Sequence, residues 1–192
     1  MARLWLVSDP VRLPDPCAAA ARLPRGSGVL ARGLAPPVLA RLVRLARWRG
    51  LLLLVGGDAR AALRCRCGLH LPDRAPIREP DPGLLAWLAA RRRGVPWAVL
   101  SLAVHGRVAM ARARRLRADF GFVSPAFATA SHPGASPLGP LRWSALARCL
   151  GRPAVALGGV AAATAGRLPR VGPGRVAGLA AIAALGIDHP AA

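Results

Sequence analysis

Hydrophobic and polar positions form a repeating pattern along the chain, in which a short apolar run is followed by a longer stretch of helical periodicity. The runs are apolar throughout rather than alternating, which is typical of strands covered on both faces. They predict eight strands, at residues 3–7, 28–31, 51–55, 68–71, 97–101, 120–123, 154–157 and 175–178.

Between these runs we predict helices at residues 16–23, 36–48, 58–66, 84–93, 105–117, 141–150, 160–168 and 179–185. Strands that alternate with helices indicate a parallel sheet. Eight units of roughly 24 residues each favour an α/β fold of the (β/α)8 TIM-barrel type, compact and trimmed in its first helices. We expect residues 1–187 to form this single domain and residues 188–192 to form a tail.

An open, doubly wound sheet is the alternative architecture. The dinucleotide-binding members of that class carry G-x-G-x-x-G after the first strand, where this chain has Ser8-Asp9-Pro10. The barrel is therefore the favoured fold. In a barrel, the loops at the carboxyl ends of the strands are where chemistry is expected.

The formal net charge of +20 would ordinarily suggest nucleic acid or an anionic membrane as a partner. All 28 basic residues are arginine, and they are spread along every predicted helix rather than gathered in one tract. We therefore expect small-molecule substrates, with neither nucleic acid nor membrane as the main partner. The surplus charge would still attract a phosphorylated substrate.

The four cysteines, Cys17, Cys65, Cys67 and Cys149, lack the C-x-x-C spacing of a zinc or redox motif, which favours reduced thiols. No apolar run is long enough for a signal-peptide core or a membrane span. We expect a cytoplasmic protein.

The loop at residues 124–139 is rich in hydroxyl groups, glycine and proline, and it leaves the end of a predicted strand. It carries Ser124, Thr129, Ser131 and His132. Loops of this composition bind ligands more often than they merely connect elements.

Two glycine-bearing segments follow the next two strands. Gly158-Gly159 precedes a predicted helix, and Ala177-Gly178 precedes another. Backbone N–H groups at such positions favour anions, and paired phosphate contacts after strands seven and eight recur in barrels. We predict one phosphate site on this rim.

Four other polar residues follow predicted strands, each with a plainer interpretation. Arg32 is either a phosphate clamp or a solvated arginine. For Asp58, capping of the next helix is the favoured interpretation. His70 is more often a hydrogen-bonded strand residue than a ligand, and Asp73 frames the same strand end.

These motifs together resemble the thiamine phosphate synthase and TenI family of barrels. The resemblance rests on SPAFATASH at 124–132 with SHPGA at 131–135, ALGGV at 156–160 and GRVAGLAAI at 174–182, and on LWLVSD at 4–9. It is specific from residue 101 onward. The resemblance implies a transferase that joins hydroxymethylpyrimidine pyrophosphate to thiazole phosphate and releases pyrophosphate, usually with Mg²⁺.

Carried over by position, the resemblance implies that Thr129 and Ser131 bind the thiazole phosphate, with His132 where the family has a lysine. It implies backbone phosphate contacts at Gly158-Gly159 and at Ala177-Gly178.

The pyrophosphate end departs further from the family. Arg32 matches the family's arginine, but its flanking glutamine and lysine fall on Leu30 and Leu34, and the serine of S-x-H falls on Ala103, which leaves His105.

The metal end also departs from the family. Its Asn-Asp pair falls on Gly56-Gly57 and its second metal carboxylate on Ala75, so Asp58 and Asp73 are the candidate Mg²⁺ ligands.

Three hypotheses follow. The first is a thiamine phosphate synthase-like transferase with Arg32 at the pyrophosphate. The second is a TenI-like thiazole-phosphate-binding protein or tautomerase; because that subgroup's histidine falls on Pro125, His132 or His105 would have to act as the base. The third is a catalytically silent phosphate-binding protein. Oligomeric state is left open.

Overall fold

Eight parallel strands close into a barrel in the computed structural model, which describes residues 3–73, 81–129, 134, 136–170, 172 and 174–182. Each strand pairs with the next in sequence, and the last pairs with the first, which confirms the predicted TIM barrel and excludes the open sheet. The strands are β1 Leu4–Val7, β2 Gly28–Ala31, β3 Leu52–Gly56, β4 Gly68–Leu71, β5 Leu100–Val104, β6 Phe120–Val123, β7 Ala154–Leu157 and β8 Val176–Ala181.

Helices lie between successive strands and cover the outside of the barrel. They are α1 Cys17–Ala21, α2 Pro36–Arg49, α3 Ala59–Arg64, α4 Pro82–Arg92, α5 Arg107–Arg115, α6 Gly139–Leu150 and α7 Ala162–Ala165. The short α1 agrees with the expected trimming of the first helices. Within the described ranges, no helix combines the length and apolarity needed to cross a membrane.

Three elements differ from the prediction by more than two residues at a boundary. The strand expected at 97–101 begins at Leu100, because residues 95–99 are held in tight turns by Ala98 N–H to Val95 O and Val99 N–H to Trp97 O. The helix expected at 160–168 is only Ala162–Ala165. β8 continues to Ala181, so a helix from residue 179 is wrong for those residues; the rest of that prediction, and the expected tail, lie outside the described residues.

Aromatic side chains fill the interior of the barrel. The Trp5 ring centroid lies 5.1 Å from that of Phe120 and 5.2 Å from that of Phe122, and all three side chains are buried. Gly28 opposes Trp5 in the register of β1 and β2, and any Cβ there would collide with the indole. The interior is therefore a packed core, and a ligand must bind at an end of the barrel.

Two buried tryptophans fix helices on the outside of the strands. Trp87 of α4 donates its indole N–H to Cys67 O at 3.1 Å, and Trp143 of α6 donates to Val123 O at 3.1 Å. Buried indole groups pack a large apolar area and still satisfy their one polar group. The Trp143 bond anchors α6 at the carboxyl end of β6, where the hydroxyl-rich loop begins.

Candidate functional site

The carboxyl ends of β1 and β2 hold Arg32 in a fixed backbone position. Arg32 N–H donates to Ser8 Oγ at 2.6 Å, and the same hydroxyl donates to Arg32 O at 3.0 Å. Ser8 is completely buried, so this pair of hydrogen bonds is shielded from water. A Cβ on Gly56 would lie 3.1 Å from Arg32 Cγ, so glycine at the end of β3 leaves room for the arginine side chain.

His70 and Ser101 form a buried polar pair, which confirms the interpretation of His70 as a hydrogen-bonded strand residue. They are direct partners in the β4–β5 register, and His70 Nδ1 lies 2.9 Å from Ser101 Oγ. The imidazole also meets the Phe122 ring edge-on, with centroids 5.2 Å apart. Burial first, and then the positive charges of Arg32 and His105, lower the pKa of His70 to about 3. The imidazole is therefore neutral at physiological pH.

His105 follows β5 directly and lies against the start of the hydroxyl-rich loop at residues 124–139, which we call the β6 loop. Its Nδ1 is 3.0 Å from Ser124 O and 3.3 Å from Ser124 Oγ. The His105 side chain is exposed, whereas Ser124 is buried. The imidazole is therefore oriented by β6 while it remains open to solvent or a ligand at the rim.

The glycine pair after β7 packs directly on the β6 loop, as the predicted phosphate site requires. Phe127 N–H donates to Gly158 O at 2.9 Å, and a Cβ on Gly159 would lie 2.8 Å from Phe127 Cβ and collide with Ala128 O. Both glycines have positive φ, at 88° and 62°. Only glycine meets both requirements at position 159, so the close approach of the two loops depends on it.

Thr164 of α7 stabilises this glycine turn. The Thr164 hydroxyl donates to Gly159 O at 2.9 Å. Its oxygen, Thr164 Oγ1, also accepts from Ala161 N–H at 2.9 Å. Nearby, the Arg167 guanidinium lies 5.4 Å from the Phe127 ring centroid. Because α7 has only four residues, any anion here would depend on the glycine amides rather than on a helix dipole.

Thr129 is half-buried and is the last residue described before the gap at residues 130–133. Ser131 and His132 lie outside the described residues.

The structure corrects the predicted end of the last strand, after which the second phosphate contact was placed. Ala177 and Gly178 lie inside β8, with Gly178 opposite Val155 in the ladder. The residues at the carboxyl end of β8 are instead Ala181 and Ile182, which no sequence signal singled out because apolar residues continue past Gly178.

The two candidate metal carboxylates do not make a convincing cation site. Asp58 caps α3, with its Oδ1 accepting from Ala61 N–H at 2.8 Å, as the plainer interpretation predicted. Asp73 follows β4 after Pro72, whose carbonyl accepts from Arg112. In the described part of the chain no group of three metal-ligating side chains comes together. Two carboxylates are too few to hold Mg²⁺ with protein ligands alone, although the ion is usually bound through one or two carboxylates together with waters and substrate phosphates.

The sequence is similar to proteins of one known family. Residues 36–182 match the family model described as thiamine monophosphate synthase. The thiamine-phosphate synthase of Chromobacterium violaceum is 37% identical over 143 residues, which covers 72% of this chain and 63% of that protein. The chain therefore spans under two thirds of the length of that relative.

Solved structures agree on the fold. A thiamine phosphate pyrophosphorylase from Pyrococcus furiosus superposes with a TM-score of 0.71 at 20% identity, covering 94% of this chain and 85% of that one. The 2-keto-3-deoxy-6-phosphogluconate aldolase of Zymomonas mobilis gives 0.61 at 16% identity, covering 94% and 81%. These identities support the shared barrel alone. The match to the family model spans most of the chain, and the protein belongs to the thiamine monophosphate synthase family.

Proposed function

We propose that this protein is a thiamine phosphate synthase-like transferase of the cytoplasm. It would join hydroxymethylpyrimidine pyrophosphate to thiazole phosphate and release pyrophosphate. The observation that carries the proposal is the packing of Gly158-Gly159 on the β6 loop, at the same end of the barrel as Arg32. One rim thus offers a monophosphate site and a separate cationic position.

The monophosphate end uses backbone amides and hydroxyls. In the described part of the chain, neither Gly158 N–H nor Gly159 N–H donates to another backbone group. A phosphate against this turn would receive them, together with the hydroxyl of Thr129. Ser131 and His132, by their positions in the family motif, would complete the contact. Amides without a Cβ allow the close approach that a phosphate needs.

The pyrophosphate end depends on Arg32. The reaction breaks the carbon–oxygen bond to pyrophosphate, which leaves with the bonding electron pair, and the thiazole nitrogen then attacks the pyrimidine cation. Arg32 would stabilise the charge that develops on the leaving group, and Ser8 would hold it in place before reaction. His70, being neutral, would add no repulsion toward the cation, and His105 would line the same end.

Mg²⁺ is expected from the family resemblance, with Asp58 and Asp73 as candidate ligands. When bound, the ion would neutralise pyrophosphate charge. Because the described residues do not fit a protein-built site, no step is assigned through the ion.

The test is release of pyrophosphate by the purified protein given both substrates and Mg²⁺. We expect release above background, with Arg32→Ala lowering kcat/KM by about 10²–10³-fold, as for loss of one preorganised donor. Arg44→Ala, an exposed position in the middle of α2, removes the same charge and should retain activity.

No release by the wild-type protein would contradict the proposal. In that case, a rise in melting temperature with thiazole phosphate would indicate the TenI-like or silent binding alternative.

A further inference from the structure

The fold brings together arginines that are dispersed in the sequence. Helices α2 to α6 each end in a turn with arginine, and more arginines lie in the segments that lead from these helices to the next strands. Apart from Arg112, whose side chain donates to Pro72 O just past the carboxyl end of β4, these positions fall at the amino ends of the strands, opposite the proposed active site. We call this surface the arginine face; exposed members include Arg64, Arg92, Arg115, Arg148, Arg152 and Arg175.

Acidic residues do not balance this charge. Among the described acidic side chains, only Asp119 lies at the amino ends of the strands, and it is paired with Arg91 at 2.7 Å. The others follow the carboxyl ends of strands or begin α4; they are Asp9, Asp15, Asp58, Asp73 and Asp81. The barrel is therefore strongly polarised, with its positive charge concentrated at one end.

Structural roles account for only part of the arginine face. Arg47 donates to Cys65 O at 2.9 Å and Arg114 to Leu150 O, so these two satisfy carbonyls at helix ends. A helix carboxyl terminus carries about half a negative charge, so the ends of α2 to α6 offset only about two to three positive charges. Arg148, Arg152 and Arg175 make no ion pair with any described carboxylate.

These last three arginines line one cavity. It has a volume of about 440 Å³ and lies at the amino ends of β7 and β8, where Pro153 and Gly174 form part of its wall. That volume is in the range of ligand pockets. Three guanidinium groups without carboxylate partners favour an occupant with phosphate groups.

An exposed aromatic side chain lies at the same end of the barrel. Trp48, in the last turn of α2, is 73% exposed, and the Arg49 guanidinium lies 5.8 Å from its ring centroid. Unpaired bases stack on exposed aromatic side chains such as this indole, while nearby arginines neutralise the phosphate backbone of the nucleic acid. A free phosphate ion would need no such aromatic surface.

We propose that the arginine face binds single-stranded nucleic acid, with its backbone along the arginines, one phosphate group in the Arg148–Arg152–Arg175 cavity and a base on Trp48. The sequence led us to expect that nucleic acid is not the main partner of the protein, because the arginines are spread along the chain. The proposal adds a second binding surface that is independent of the transferase chemistry.

Binding of a fluorescein-labelled oligouridylate of about twelve nucleotides, followed by anisotropy over a salt series, tests the proposal. The triple variant Arg148→Gln, Arg152→Gln, Arg175→Gln should weaken binding at least about tenfold and reduce the slope of log Kd against log salt by about 0.7, the value for one phosphate contact on a single strand. Trp48→Ala should weaken binding about tenfold through lost stacking.

The matched control removes three charges at the opposite end of the barrel, with Arg60→Gln, Arg107→Gln and Arg142→Gln near the starts of α3, α5 and α6. It should change the affinity less than about threefold. Equal losses in both triple variants would overturn the proposal, because net charge alone would then explain binding. So would an unaltered Trp48→Ala affinity, or tighter binding to phosphatidylglycerol vesicles than to the oligonucleotide. Trp48→Ala keeps the test decisive if the triple variant fails to fold.

Discussion

Ser8 holds both backbone polar groups of Arg32, accepting from its N–H at 2.6 Å and donating to its carbonyl at 3.0 Å. The two residues are at the ends of neighbouring strands, and the hydroxyl is fully buried. A buried serine therefore sets the position from which the Arg32 side chain leaves the barrel.

Ser8→Ala should remove both bonds and leave the partly buried N–H and carbonyl of Arg32 without this partner, at a cost of about 1–3 kcal/mol in the free energy of unfolding. It should also lower the rate of pyrophosphate release, because Arg32 loses its orientation. Urea unfolding and the release assay measure the two effects. Ser27→Ala removes a buried hydroxyl before β2, at the other end of the barrel, and should leave kcat/KM unchanged. If both variants lose activity equally, Ser8 has no positioning role.

Two substitutions at Asp58 separate capping from metal binding. Asparagine is as good an N-cap as aspartate, so Asp58→Asn should preserve stability, whereas Asp58→Ala should cost about 1 kcal/mol. If Asp58 only caps α3, the Asn variant keeps its activity and its dependence on Mg²⁺. Loss of activity in Asp58→Asn, at unchanged melting temperature, would show instead that the carboxylate binds the ion.

Much of the barrel follows from the apolar pattern. β2, β6 and β7 have the predicted bounds, because each is an uninterrupted apolar run between polar or turn residues. β4 also has the predicted bounds, although His70 interrupts its apolar run. β5 does not, since apolar residues at 97–99 belong to the preceding turn and nothing in their composition distinguishes them from strand residues.

The site was less predictable than the fold, because it depends on which face of a strand a residue occupies. β5 lies three residues later in the sequence than predicted. Ser101 is therefore not at the end of the strand but inside it, opposite His70. The pair could not be found without that register. Arg32 was easier, because a polar residue directly after a clear strand must lie at the rim. The predicted bounds of β8, which ended at Gly178, and of β5 are wrong for the same reason. No polar residue marks the true carboxyl end of β8 or the true amino end of β5.

Gly159 tests the packing of the two loops at the phosphate site. A methyl group there would collide with Ala128 O and approach Phe127 Cβ to 2.8 Å, in a backbone of φ 62°. Gly159→Ala should therefore displace the β6 loop and weaken thiazole phosphate binding by more than about tenfold, seen as a smaller thermal shift. Gly94→Ala is the matched control, because it has φ 74° but open space around it. That variant should show only the left-handed backbone cost of about 1–2 kcal/mol, with ligand binding intact. Equal ligand binding by both variants would argue against the assigned pocket.

His70 should make the protein sensitive to mild acid. Its pKa in the folded state is lowered to about 3, chiefly by burial, whereas an unfolded histidine titrates near 6.5. The unfolded chain therefore binds more protons between these values, and the free energy of unfolding should fall as pH decreases from about 6.5 toward 3, by about 2 kcal/mol at pH 5. His70→Gln should flatten this dependence in urea unfolding measured over that pH range. Ser101→Ala keeps the imidazole buried and should retain the wild-type slope, because burial rather than the 2.9 Å hydrogen bond is the main cause. If His70→Gln and wild type lose stability in parallel, the imidazole is not the group responsible.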